Sequence, residues 1–125
     1  MSAPGSISEA ESAVLAVLWE KGTATADDVV AALAKARDWH DSTVKTLLGR
    51  LLKKGAVRAE KDGRRFIYSP TLAREEWLSQ ESESLLNRLY GGRVAPLVAH
   101  FSRHRKLSKR DVRELKRLIE ELEDE

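Results

Sequence analysis

Val14, Leu15 and Leu18 recur at helical spacing, with Val17 and Trp19 widening the same face, just after Ser8-Glu9-Ala10-Glu11. That tetrapeptide is a capping box in which serine and glutamate satisfy free backbone donors, so a first helix is predicted from Ser8, with Gly22 as its stop. Residues 1–6, containing Pro4 and Gly5, read as a loose arm. Thr25 can cap a second helix, whose first turn holds Asp27 and Asp28 at the positive end of the helix dipole and whose inward face is Val29, Val30 and Leu33. After the interruption at 38–41, Asp41 or Ser42 can cap a third helix that ends near Lys54, before Gly55. Its apolar stripe is Val44, Leu47, Leu48, Leu51 and Leu52, which leaves Thr43, Lys45, Thr46, Gly49, Arg50 and Lys53 facing away from the core.

The period then shortens to two. Residues 57–61 and 64–69 read as strands joined by Asp62-Gly63, a dipeptide suited to a tight hairpin, and Pro70 ends the pair. Residues 72–90 return to helical spacing through Trp77, Leu78, Leu85, Leu86 and Leu89, closed by Gly91-Gly92. Val94, Leu97, Val98 and Phe101 mark another helix, with Pro96 tolerated in its first turn. A second capping box, Ser108 to Asp111, opens a final helix in which Val112, Leu115, Ile119 and Leu122 alternate three- and four-residue steps. Such a seam suits a partner helix.

The 125 residues suffice for one domain or for a small domain with an appended module, and 42% apolar with 34% charged residues is the composition of a globular protein rather than of a disordered chain. With no cysteine there is no disulfide, thiol nucleophile or thiolate metal site. The longest apolar run, 13–19, is too short to span a bilayer and no basic segment precedes it, so the expected location is the cytoplasm. Net charge is only +2, but residues 43–65 carry eight bases against two acids, and the remainder is net acidic. Cationic charge gathered in one stretch is what a polyanion can use for steering and counterion release.

Three helices followed by a hairpin is the element order of a winged helix-turn-helix, in which the third helix enters the major groove and the hairpin touches flanking backbone. The expected fold is mainly α with a small β-hairpin, divided into a winged domain at 1–70 and a helical domain at 71–125. Thr43 and Thr46 can meet phosphates or base edges, Arg50 can reach a guanine edge or a phosphate, and Arg64 and Arg65 suit phosphates or a narrow minor groove. Lys45 and Lys53 add charge to the same helix, as does Lys54. Trp19, Trp39 and Phe66 are expected to pack in the core.

Asp38-Trp39, the run from Ser42 to Leu51, Lys53-Lys54-Gly55-Ala56, Gly63 to Pro70, Glu81 to Ser84 and Leu89 to Gly92 together resemble the penicillinase-repressor family, also called BlaI/MecI/CopY. The resemblance implies a homodimeric transcriptional repressor bound to a palindromic operator, not an enzyme, with a C-terminal helical dimerisation domain. It maps DNA contacts onto Ser42, Thr43, Thr46 and Arg50 of the third helix and onto Arg64 and Arg65 of the wing. Dimer-forming positions map onto Leu78, Leu85, Leu89, Val98, Phe101, Leu115, Ile119 and Leu122. Antibiotic-responsive members are released when a membrane sensor triggers proteolysis at an Asn-Phe bond, which corresponds here to His100-Phe101. The cysteine cluster of copper-responsive members is absent. His100 and His104 lie four apart, but no third ligand and no H-E-x-x-H glutamate accompany them, so no metal and no cofactor is expected. The competing reading is a winged helix that binds proteins, distinguished by weak duplex binding without sequence preference.

Overall fold

A computed structural model describes residues 6–124, so all but Ser6 of the expected N-terminal arm lies outside the described residues. The elements run α1 (Glu9–Lys21), α2 (Ala26–Arg37), α3 (Asp41–Lys54), β1 (Val57–Asp62), β2 (Arg65–Pro70), α4 (Arg74–Tyr90), α5 (Val94–Arg103) and α6 (Lys109–Glu123). They divide into two compact units, Met1–Leu78 and Ser79–Glu125, with α4 beginning in one and ending in the other. Among the described residues no helix is long and apolar enough to cross a membrane.

Capping fixes three of the helix starts. Ser8 with Glu11, Thr25 with Asp28 and Ser108 with Asp111 each form a reciprocal capping box, including the aspartate version at α6. Helix α3 starts differently from the expectation. His40 is its N-cap and makes no side-chain cap; its carbonyl accepts from the amides of Thr43 and Val44. Asp41 thus falls inside the first turn, where the dipole favours a carboxylate.

The core of the first unit is built from Val14, Leu15 and Leu18 of α1, Val29 and Leu33 of α2, and Val44, Leu47, Leu48 and Leu51 of α3. Leu52, assigned to that stripe from spacing, is 39% exposed. Val57 and Leu72 close the core from the hairpin side. Leu72 precedes α4 rather than joining it, because Thr71 and Leu72 both donate to the Ala56 carbonyl. The Trp19 indole donates to the Leu72 carbonyl at 2.8 Å and lies 5.5 Å from the Trp77 ring.

Strands β1 and β2 pair antiparallel from Val57↔Pro70 to Asp62↔Arg65. Because Asp62 and Arg65 are partners, the two-residue loop is Gly63-Arg64, one position later than the dipeptide read from the sequence. Gly63 sits at φ 66°, the first central position of a turn in which only that residue needs a positive φ. A Cβ there would meet open space, so only backbone strain opposes one. Gly63→Ala should destabilise the protein by about 1 kcal/mol in urea unfolding. An unchanged midpoint would mean that the turn does not depend on glycine. A bridge of two hydrogen bonds between Ala24 and Tyr68 ties the hairpin to the α1–α2 connection.

In the second unit none of the described residues is buried. Its apolar side chains are half-buried at best, and Leu89, Val94, Ile119 and Leu122 are more than half exposed.

Candidate nucleic-acid interface

The apolar stripe of α3 is drawn into the core by α1 and α2, and that packing sets which side chains point outward. Ser42, Lys45, Thr46, Arg50 and Lys53 are exposed and Thr43 is half-buried. Ser42, Thr43, Thr46 and Arg50 line one shallow groove of about 230 Å³ along the helix, floored by Leu47. Hydroxyls and a guanidinium side by side can serve phosphate oxygens and base edges together.

The wing makes a second hollow, of about 380 Å³, where Arg64, Arg65, Phe66 and Tyr68 face Lys45 of α3 and Thr25 to Asp27 at the start of α2. Lys45 therefore belongs with the wing arginines rather than with Thr43, Thr46 and Arg50. Lys53, in the last turn of α3, lines neither hollow. Among the described residues, Lys45, Arg50, Lys53, Arg64 and Arg65 make no ion pair, so their charge is directed to solvent. Asp28 lies within electrostatic reach of Arg65. Its carboxyl is held below the usual range mainly by the backbone and side-chain donors of Thr25, with Lys21 and Arg65 adding to the effect.

Lys54 is not part of this surface. Its ammonium pairs with Glu11 of α1 and donates to the Ser6 carbonyl, pinning the end of α3 to the start of α1. Burial alone would push the Glu11 carboxyl up, but the Lys54 ammonium and the Ser8 donors outweigh it and hold the group below its usual range. Phe66 corrects a second expectation: it is 50% exposed. Tyr68, two residues along the strand, is covered where Ala24 bridges to it, whereas Phe66 lies beyond that bridge and close to the hairpin tip. Alternation alone does not reveal where cover ends. Trp39 is half-buried against the core, and the Arg37 guanidinium lies 5.2 Å above its ring while pairing with Glu9. This braces the turn before α3, as expected of an aromatic that packs the core from a turn.

Of the positions associated with dimer formation, Leu78 falls in the first unit and the other seven in the second. Leu85, Val98 and Leu115 are half-buried, while Leu89, Phe101, Ile119 and Leu122 are exposed. His100 and Phe101 sit inside α5, with the His100 ring 4.5 Å from that of His104. Among the described residues no group of three or more metal-ligating side chains gathers.

The family model described as penicillinase repressor matches residues 7–121. The penicillinase repressor of Bacillus licheniformis is 36% identical over 92% of this chain and 90% of its own length. Methicillin resistance regulatory protein MecI of Staphylococcus aureus is 30% identical over 90% of this chain and 92% of its own. Among solved structures, the DNA-binding domain of the repressor BlaI superposes with a TM-score of 0.55 at 36% identity, covering 61% of this chain and 93% of that one. The monomeric form of Bacillus licheniformis BlaI in complex with the blaP half-operator gives a TM-score of 0.52 with the same identity and coverage.

Proposed function

The chain belongs to the penicillinase repressor family, and from that premise we propose that it is a DNA-binding repressor that grips a palindromic operator as a homodimer and acts in the cytoplasm. The observation that carries the reading is the unpaired cationic and hydroxylated face of α3, with Lys45 continuing it to the wing arginines. Thr43, Thr46 and Arg50 read the major groove, Ser42 and Lys53 contact its edges, and Lys45, Arg64 and Arg65 hold flanking phosphates. Two copies join through the second unit, where Leu85, Leu89, Val98, Phe101, Leu115, Ile119 and Leu122 supply apolar surface that one copy leaves uncovered, with Leu78 at its border.

Release follows a signal that dismantles the second unit, with a membrane-bound metalloprotease system as the source of the cut at His100-Phe101. Both residues lie within α5, so a protease that binds extended substrate reaches that bond only after the helix unwinds locally.

Operator binding should weaken steeply as salt rises. Arg50→Ala should lower operator affinity by about 1–3 kcal/mol and narrow the gap between operator and random duplex, whereas Arg65→Ala should weaken both alike and flatten the salt dependence. Fluorescence anisotropy with operator selected from genomic fragments measures all of this. If no duplex is preferred over random DNA, the protein-binding reading replaces this one.

A further inference from the structure

Among the described residues of the winged unit, Leu52 and Phe66 are the large apolar side chains left exposed, and Phe66 is the barer at 50%. A lone apolar side chain on a surface needs no explanation, but the surroundings of this one are ordered by charge. Lys61 stands directly opposite it across the ladder, so the two side chains share a face of the hairpin. Arg65 precedes it in β2, and Arg64 and Lys45 join it in the wall of the wing hollow. These four bases make no ion pair among the described residues. Two acids stand near them, Asp27 in the same wall and Asp62 across from Arg65. No other ring and no cation stacks on Phe66 among the described residues, and it lies outside the set packed on the core. Tyr68, on the same face of β2, continues the apolar track inward to the Ala24 bridge.

We propose that Phe66 seats on the deoxyribose edge of the duplex backbone, beside phosphates held by Lys45, Lys61, Arg64 and Arg65. The contact rests on the DNA-binding reading above and adds an apolar component to the wing. An exposed ring among unpaired bases calls for an occupant that is anionic at its margins and apolar between them. A nucleic-acid strand has that alternation built in: each phosphate is followed by a sugar whose ring carbons offer only C–H groups, so closing the bases on phosphates brings a sugar onto the ring. An acidic peptide carries its carboxylates on flexible side chains, with no apolar unit fixed between them. The bases and the ring also respond differently to salt. Bases bind by releasing counterions and weaken as salt rises, whereas burying the ring releases water and is insensitive to it. Every nucleotide carries the same sugar, so Phe66 adds affinity without reading sequence.

Fluorescence anisotropy of the full-length protein on operator and on random duplex, each over a salt series, separates the two contributions. Phe66→Ala should weaken both duplexes by the same factor, about 3- to 10-fold, and leave the slope of log affinity against log salt unchanged. Phe66→Leu, which keeps apolar volume, should lose less. Urea unfolding of Phe66→Ala should match the wild type, since the ring lies outside the core. A flattened slope, the behaviour expected of Arg65→Ala, means that the ring only positions the arginines and overturns the proposal. Undiminished affinity overturns it too, as does a loss confined to the operator. A photoreactive p-benzoylphenylalanine at position 66, which inserts into nearby C–H bonds, reads the contact directly even where Phe66→Ala fails to fold. Cross-linking to a DNA strand is expected, and cross-links to protein alone overturn the contact. If the wild type binds operator and the position 66 variants match it, only this contact falls; if the wild type binds no duplex, the repressor reading falls with it.

Discussion

Leu115→Asp combined with Ile119→Asp should convert the proposed dimer to a monomer at micromolar concentration and lower operator affinity about 100-fold or more. Two carboxylates in a stripe whose neighbours are Val112 and Leu122 place charge where association would have to strip it of water, without a partner. The loss at the operator is larger than any single contact explains. Two half-sites held by one particle bind with an effective concentration set by their linkage, and separating them removes that factor entirely. The winged unit is left intact, because none of its core residues comes from α6. The monomer should therefore keep a half-site affinity close to that of the wild-type winged unit. Light scattering and a full-site against half-site titration decide the matter, and dimers that survive the double change would place the interface elsewhere.

Lys54→Met should destabilise the winged unit by about 2–4 kcal/mol at pH 7. The Glu11 side chain is only 1% exposed, and one of its carboxylate oxygens has no hydrogen-bond partner among the described residues, so removing the ammonium strands a buried charge. Exposure of part of the lysine keeps the figure below that of a fully buried pair. The pH dependence has a definite sign. In the wild type the Glu11 carboxyl is held below its ordinary value of 4.5, so its contribution is complete above that value and is lost as pH falls through the lowered one. In the variant, burial is no longer opposed by Lys54, so the two proteins should converge in stability as pH drops from 7 into the acid range. Adding Glu11→Gln to Lys54→Met should recover part of the loss at pH 7. Urea unfolding of the wild type and both variants at two pH values reads every term. Equal stability of wild type and Lys54→Met at pH 7 would show the pair to be dispensable.

The same lysine shows where sequence reading stops. The caps at Ser8, Thr25 and Ser108 are local, each complete within four residues, and the sequence announces them together with the helices they start. The pairing of Lys54 with Glu11 joins residues 43 apart in sequence, and no local pattern separates that lysine from Lys53 beside it. Phe66 fails for a related reason: alternation tells which face a strand residue takes, but not how far along the strand the covering layer extends. The start of α3 lies one or two residues earlier than expected and the hairpin loop one residue later, since several neighbouring polar residues or glycine-containing dipeptides satisfy the same rule. The outward face of α3 was legible because amphipathic spacing assigns it by exclusion, whereas the split between a helix groove and a wing hollow, with Lys45 in the latter, needs three dimensions.

The uncovered helices of the second unit have a consequence for gene control. In the homodimer proposed above, a segment that finishes its packing only against its twin gains stability by mass action, so its melting temperature should climb with protein concentration while that of the winged unit does not. Chains too dilute to pair would hold half-sites weakly, and occupancy would then rise with the square of chain number. Repression of this kind would switch on sharply with dosage, and a modest fall in copy number would be enough to reopen the promoter.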